Sequence, residues 1–418
     1  MANFEQRICV VGLGYIGLPT ASLLATKGYA VHGVDVTPHV VDTINRGELH
    51  IYEPDLDILV KSAVQSGRLK AALEPSEADI FILAVPTPFK DGYEPDLSYV
   101  ETATNAIAPH LKAGDLVILE STSPVGATEK VRDWVAAARP DLMTKGQDGG
   151  SGKPVYFAHC PERVLPGKVL QELVSNDRIV GGVDADSTAV AADFYRSFVA
   201  GKILETNSRT AELAKLTENA FRDVNIAFAN ELSLICDRFN INVWELIELA
   251  NHHPRVNILQ PGPGVGGHCI AVDPWFIIHS APQEARVMRA AREVNDNKPH
   301  WVIEKVKEKA DRFKSPKIAC LGLAFKANID DLRESPALEI TRDLAKQQVG
   351  EVLAVEPYVR ECPKVLQGLP GLRFTSADEA IREADILLLL VDHTAFKNVD
   401  RRLLQEKIVI DTRGIWRA

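Results

Sequence analysis

Ile8-Cys-Val-Val11 is an apolar run that enters Gly12-Leu-Gly14-Tyr-Ile-Gly17; a helix-patterned segment follows at residues 19–27, and a second strand-like run at residues 29–34 ends in Asp35. Strand, glycine turn, helix and strand in that order make a βαβ unit whose first turn suits a dinucleotide. Gly12 makes the tight turn, Gly14 lets a pyrophosphate approach, and Gly17 lets helix and strand pack, with phosphate over the helix N-terminus. Tyr15 and Ile16 lie in the same turn and are counted with the cofactor contacts. Asp35 stands 18 positions beyond Gly17, where a carboxylate accepts hydrogen bonds from the adenosine ribose and repels a 2′-phosphate. NAD is therefore the expected cofactor, rather than NADP.

Further strand-like runs follow. Residues 79–85 lead into Pro86-Thr-Pro88, residues 115–120 into Ser121-Thr-Ser-Pro-Val-Gly126, and residues 155–159 into Cys160-Pro-Glu-Arg-Val-Leu-Pro-Gly167. Ligands of open parallel sheets collect at the carboxyl ends of the strands, which makes Thr87, Glu120 and Thr122 candidate contacts. The same hydroxyls could simply cap the following helices, and both readings stand. Residues 146–153 read as an exposed loop.

From residue 209 to about 239 apolar residues recur at helical intervals, with Lys215 and Asn219 on one face and Asn225 and Asn230 nearby. So many amides suggest a buried polar face or a ligand wall. The pattern stays mostly helical to about residue 310, a plausible subunit interface. Strand-like runs resume at 317–323, 351–355, 385–391 and 407–411, with a helix near 337–347. This second sheet has no GxGxxG, so its phosphate contacts fall to side chains, Lys326 and Arg333 being the natural choices. At 418 residues the chain exceeds what one core usually supports. The expected class is α/β: two Rossmann-like doubly wound domains joined by a central helical domain, at residues 1–205, 206–310 and 311–418.

Four glycines fall within residues 262–267, just ahead of Cys269, and Asp273 follows four positions later. Such a backbone can approach a ligand closely. Cys269 is then either a nucleophile, active as thiolate, or one more small buried hydrophobe. The six cysteines show no CxxC spacing and no cysteine–histidine pair at metal spacing, so neither a disulfide framework nor a metal site is expected. Cys9 and Cys320 sit in apolar runs as packing residues. A net charge of −10 argues against a nucleic-acid surface. With no signal-type leader and no long apolar run, a cytoplasmic protein without membrane contact is expected.

With these pieces in order, the sequence resembles the UDP-glucose/GDP-mannose dehydrogenase family over its whole length. The resemblance rests on Val11-Gly-Leu-Gly-Tyr-Ile-Gly-Leu-Pro19, Val85-Pro-Thr-Pro88, Ser121-Thr-Ser-Pro-Val-Gly126, Cys160-Pro-Glu-Arg163 and Lys215-Leu-Thr-Glu-Asn219. It continues through Gly264-Val-Gly-Gly-His-Cys269 with Asp273, and Gly322-Leu-Ala-Phe-Lys326 with Asp331, Arg333 and Ser335-Pro336. Within the family, residues 45–55, 207–212 and 252–260 are most similar to the bacterial UDP-N-acetyl-D-mannosamine dehydrogenases.

The resemblance implies oxidation of the C6 alcohol of a UDP-linked sugar to the carboxylate with two NAD per turnover, through a thiohemiacetal and a thioester on Cys269. It also implies the roles. Lys215 and Asn219 stabilise the developing oxyanion, Glu162 is general base for the hydrolytic water, and Asp273 helps position that water. Thr122 contacts substrate or an ordered water, and is counted with Thr87 and Arg333 as cofactor contacts. Glu162, Arg163, Lys215, Asn219, Gly266 and Lys326 are counted as substrate contacts, and Arg255 as reaching the site of a neighbouring subunit in a homodimer.

There is one departure: the UDP-glucose enzymes carry a second glutamate a few residues after the first, and this chain has Pro166 there. That fits a pocket altered for an N-acetylated sugar. UDP-N-acetyl-D-mannosamine is the expected substrate, with UDP-N-acetylglucosamine or UDP-glucose as alternatives. A two-electron hydroxyacid-type dehydrogenase and a non-catalytic nucleotide sensor are the rival classes.

Overall fold

The computed structural model describes residues 5–51, 53–142, 153–164, 167–267 and 269–416. Of the expected loop at 146–153 only Lys153 is among them, and Pro166 and His268 lie outside them. The chain divides into two compact units, Met1–Thr217 and Glu218–Ala418.

In the first unit, strands β1 (Arg7–Val11), β2 (Ala30–Val34), β3 (Leu69–Ala72), β4 (Ile80–Leu83), β5 (Leu116–Leu119), β6 (Tyr156–His159), β7 (Arg178–Gly182) and β8 (Ile203–Asn207) form one sheet, in the order β3-β2-β1-β4-β5-β6-β7-β8. Neighbours run parallel except β6 and β7, which are antiparallel. Every residue of β4 and β5 is buried, as continuous apolar runs predict for strands covered on both faces. Alternation sends Ile8 and Val10 to one core with Ile82 and Ile118, and Cys9 and Val11 to the other with Phe81 and Val117. Helices α1 (Gly17–Lys27), α2 (Pro38–Asn45), α3 (Leu56–Gln65), α4 (Ser98–Ile107), α5 (Ala127–Ala138), α6 (Val169–Ser175) and α7 (Ala185–Arg196) cover the sheet.

Helix α8 (Ser208–Phe239) starts directly after β8, where Asn207 Oδ1 accepts the Thr210 N–H at 2.9 Å. It ends at Asn240, whose φ of 55° lies in the left-handed region while the Ile241 N–H returns to the Cys236 carbonyl at 2.8 Å. Phe221, Phe228, Ile235 and Phe239 are exposed along it.

The second unit continues with α9 (Val243–Asn251), α10 (Asp273–Ser280) and α11 (Arg286–Ala310), then a smaller sheet of β9 (Lys317–Leu321), β10 (Glu351–Val355), β11 (Leu372–Phe374), β12 (Ile386–Leu389) and β13 (Ile408–Asp411) with α12 (Pro336–Lys346), α13 (Ala377–Glu383) and α14 (Thr394–Lys397). Its order is β11-β10-β9-β12-β13, all parallel. The chain is thus α/β, with two Rossmann-like sheets and a helical segment between them in sequence. The first strand of each sheet sits at the point where strand order reverses, which is where such folds bind ligands. Cys9 and Cys320 are packing residues, as expected: burial pushes both thiols up to about 12. Among the described residues no helix is long and apolar enough to cross a membrane.

Candidate active site

The turn after β1 has the form a pyrophosphate needs. A Cβ on Gly17 would stand 1.8 Å from the Gly12 carbonyl oxygen, whereas a Cβ on Gly14 would meet nothing within 4 Å. The first glycine permits close packing; the second leaves room over the start of α1, which has no side-chain cap of its own. Asp35 accepts the N–H of Leu13 at 3.1 Å and of Thr37 at 2.9 Å. Each carboxylate oxygen so engaged keeps a further acceptor site for a ribose hydroxyl. These residues fit NAD.

The loops after β4 and β5 are tied together. Thr87 Oγ1 donates to the Thr122 carbonyl and Ser121 Oγ to the Val85 carbonyl, each at 2.6 Å. Glu212, on α8 just ahead of Lys215, accepts the N–H groups of Gly126 and Thr128 at 2.6 and 2.8 Å, capping α5 from a distant part of the chain. Glu53 does the same for α6, accepting from Gly167 and Val169, both at 2.9 Å. The segments carrying Thr122 and Glu162 are therefore held by remote carboxylates. Lys215 is half-buried one turn before Asn219 on α8.

Glu162 is buried and paired with the buried Arg178. Its other oxygen accepts the Arg163 N–H at 2.6 Å, and the Arg163 guanidinium donates to the Asp177 carbonyl. Arg178 lies 5.8 Å over the Tyr195 ring, and the Tyr195 hydroxyl donates to Glu120 at 3.0 Å. The structure corrects the placement of Glu120: it is only 2 % exposed and turned into this cluster instead of towards the ligand edge. Burial, reinforced by the charge of Glu162, pushes its carboxyl up to about 7.

In the second unit Cys269 is exposed. Its carbonyl accepts the N–H groups of Val272 and Asp273 at 3.1 and 2.8 Å, so the thiol stands one turn ahead of α10. Asp273, the first residue of that helix, is buried and accepts from Asn219 Nδ2 at 2.5 Å. The structure thus brings Cys269, Asp273 and Asn219 together. The glycine-rich loop lies flat on the segment after β9: a Cβ on Gly266 would come within 2.5 Å of the Glu334 carbonyl oxygen and 2.7 Å of Pro336.

That segment repeats the plan of the first turn. The Gly322 N–H donates to the Val355 carbonyl at 2.9 Å as the Gly12 N–H does to Val34 at 2.8 Å, and the Leu323 N–H donates to Glu356 at 2.7 Å as Leu13 does to Asp35. Glu356 also bonds His393 Nε2 at 3.1 Å, and His393 Nδ1 accepts the Asn328 N–H at 2.9 Å. These bonds hold the loop that presents Lys326 and Arg333, both exposed. Arg333 is engaged by Asp331, with Nη2 at 2.6 Å. Arg255 is exposed after α9 and makes no side-chain hydrogen bond or ion pair among the described residues. No group of three or more His, Cys, Asp and Glu among those residues could hold a metal ion.

Sequence reasoning missed Glu53, Arg178, Tyr195, Glu212, Glu356 and His393. Only Glu356 had a readable signal: it follows the second strand of its sheet, as Asp35 does in the first.

Three family models match in chain order: the NAD binding domain of the UDP-glucose/GDP-mannose dehydrogenase family at residues 6–199, its central domain at 209–297 and its UDP binding domain at 319–418. The chain belongs to the UDP-glucose/GDP-mannose dehydrogenase family. It is an NAD-dependent nucleotide-sugar dehydrogenase, and the turn after β1 lies within the matched NAD binding domain. Among similar proteins, an NDP-N-acetyl-D-galactosaminuronic acid dehydrogenase of Ralstonia nicotianae is 61% identical over 99% of this chain and 97% of its own. A UDP-N-acetyl-D-mannosamine dehydrogenase of Escherichia coli is 58% identical over 98% of this chain and 99% of its own. The solved UDP-D-ManNAc dehydrogenase of Pyrococcus horikoshii superposes with a TM-score of 0.85 at 40% identity, covering 98% of this chain and 96% of that one.

Proposed function

We propose that this dehydrogenase oxidises the C6 hydroxyl of UDP-N-acetyl-D-mannosamine to the carboxylate, giving UDP-N-acetyl-D-mannosaminuronate. The supporting observation is the exposed Cys269, one turn ahead of the buried Asp273–Asn219 pair. A two-electron oxidation to the aldehyde has no use for a thiol, whereas a four-electron oxidation needs a way to hold the aldehyde for its second step.

Bound NAD accepts hydride, two electrons at a time. The chain's own residues do the rest. Cys269, as thiolate, adds to the C6 aldehyde and forms a thiohemiacetal, which on losing its own hydride becomes a thioester. Lys215 and Asn219 donate to the oxygen that is negatively charged in the tetrahedral adducts. Glu162 takes a proton from the water that displaces the thiolate, and Asp273 orients that water. The nucleotide is held through Lys326 and the loop that Glu356 and His393 fix.

The 61% relative favours a second reading, in which the sugar is the N-acetylgalactosamine epimer. Assays with UDP-N-acetyl-D-mannosamine, UDP-N-acetylgalactosamine, UDP-N-acetylglucosamine and UDP-glucose side by side decide between them. The first reading expects kcat/KM to be highest for the mannosamine by about tenfold or more. A preference for the galactosamine would install the second reading, and a preference for UDP-glucose would overturn both.

A further inference from the structure

Helices α8 and α11 meet along a seam of buried polar residues that none of the steps above uses. The Gly262 N–H donates to Asn230 Oδ1 at 2.9 Å, and Asn230 Nδ2 donates to Asn295 Oδ1 at 2.9 Å. Asn295 Nδ2 donates to Asp223 Oδ1 at 2.8 Å, and Arg292 donates to the same Asp223 oxygen at 2.6 Å and pairs with Asp296 as well. Asp223, Asn230, Arg292 and Asn295 are all at most 2 % exposed.

The direction of this chain of bonds is forced. An ionised carboxylate only accepts, so Asn295 must turn its NH2 to Asp223 and its oxygen to Asn230. Asn230 must then give its own NH2 to Asn295, which leaves its oxygen facing the glycine-rich loop. Only in that orientation does the buried Gly262 N–H find an acceptor. Burial pushes the Asp223 carboxyl up, while the Arg292 guanidinium bonded to it favours the ionised form and so sets the polarity at the far end. Pro299 of α11 adds a second contact, standing 3.2 Å from where a Cβ on Gly264 would be. An ion pair between α8 and α11 thereby sets where the loop begins, seven residues ahead of Cys269.

We propose that Asn230 is a positioning residue for the thiol loop, oriented through Asn295 by the Asp223–Arg292 pair. The proposal rests on Cys269 being the nucleophile, and it adds four side chains to the machinery that fixes the sulfur.

Asn230→Ala removes the acceptor. It is expected to lower kcat by about tenfold or more while KM for the nucleotide sugar and Kd for NAD stay within about threefold. Alkylation of Cys269 by iodoacetamide, followed without sugar over about pH 6–9, is expected to shift in rate by about threefold or more. Asn295→Asp sets two carboxylates face to face and is expected to lose a similar share of kcat. Asp223→Asn/Asn295→Asp moves the charge one rung along the seam, still within reach of Arg292, without reversing Asn230, and is expected to regain most of it.

Wild-type kcat and alkylation rate in Asn230→Ala would overturn the proposal. So would a double variant no better than Asn295→Asp, which decides the matter if Asn230→Ala does not fold. Failure of the thiol reading looks different: Cys269→Ser would keep its turnover whatever the seam variants do.

Discussion

Cys269→Ser is expected to lower uronate formation by about a thousandfold or more, because a hydroxyl at its ordinary pKa is a poor nucleophile towards an aldehyde and a poor leaving group from an ester. The sulfur lies one turn ahead of α10, outside the four main apolar clusters, so the replacement removes little packing. Affinity for NAD is expected to stay within about twofold, since the glycine turn and Asp35 are untouched. The two readouts are steady-state uronate production and cofactor titration. Loss of both together would mean that the substitution damaged the fold, and retention of both that the thiol has no chemical role.

Arg178→Met is expected to cost about 3–5 kcal/mol of stability, because it leaves Glu162 buried without its counter-charge. In a unit of this size that corresponds to a fall in Tm of about 6–20 °C. Glu120 worsens the case: a second buried carboxyl, already pushed up to about 7, shares the cluster and is held by Tyr195. Glu162→Gln/Arg178→Met removes both charges of the pair, leaving only Glu120, which burial favours in its protonated form, and is expected to recover most of the lost Tm. Uronate production is not expected to recover with it, since the carboxylate assigned to the hydrolytic step is gone. Thermal melts of the three proteins beside their activities separate the two roles. A single variant as stable as the wild type would show that the pair is not the anchor described.

How much of this could be read from the sequence varies with where each feature's cause lies. The inner strands β1, β4, β5, β9 and β10 announce themselves as apolar runs because both faces are covered. Strands β3, β8 and β11 stand at sheet edges and read poorly; β8 leaves Leu204, Glu205 and Asn207 exposed, so its letters carry no strand pattern. Strand β7 ends in Gly181 and Gly182, whose places are set by the backbone of Asn207 and Thr188 and not by side-chain periodicity.

The site divides in the same way. The nucleotide turn and the glycine-rich loop are backbone requirements met by neighbouring letters, and both were legible. Glu53 and Glu212 cap helices more than 80 residues away in sequence, and Asn230 meets Asn295 across 65. No local pattern reports such partnerships. The amide-rich character of α8 gave half of the last one: Asn230 is indeed in a buried polar face, whereas Asn225 is half-buried and bonded to the carbonyl one turn back.

The most direct test is to count NADH formed against nucleotide sugar consumed, run to completion with sugar limiting. If Cys269 holds the sugar between two oxidations, two NADH appear for each sugar and the product is the uronate. One NADH per sugar with free aldehyde accumulating would contradict that account.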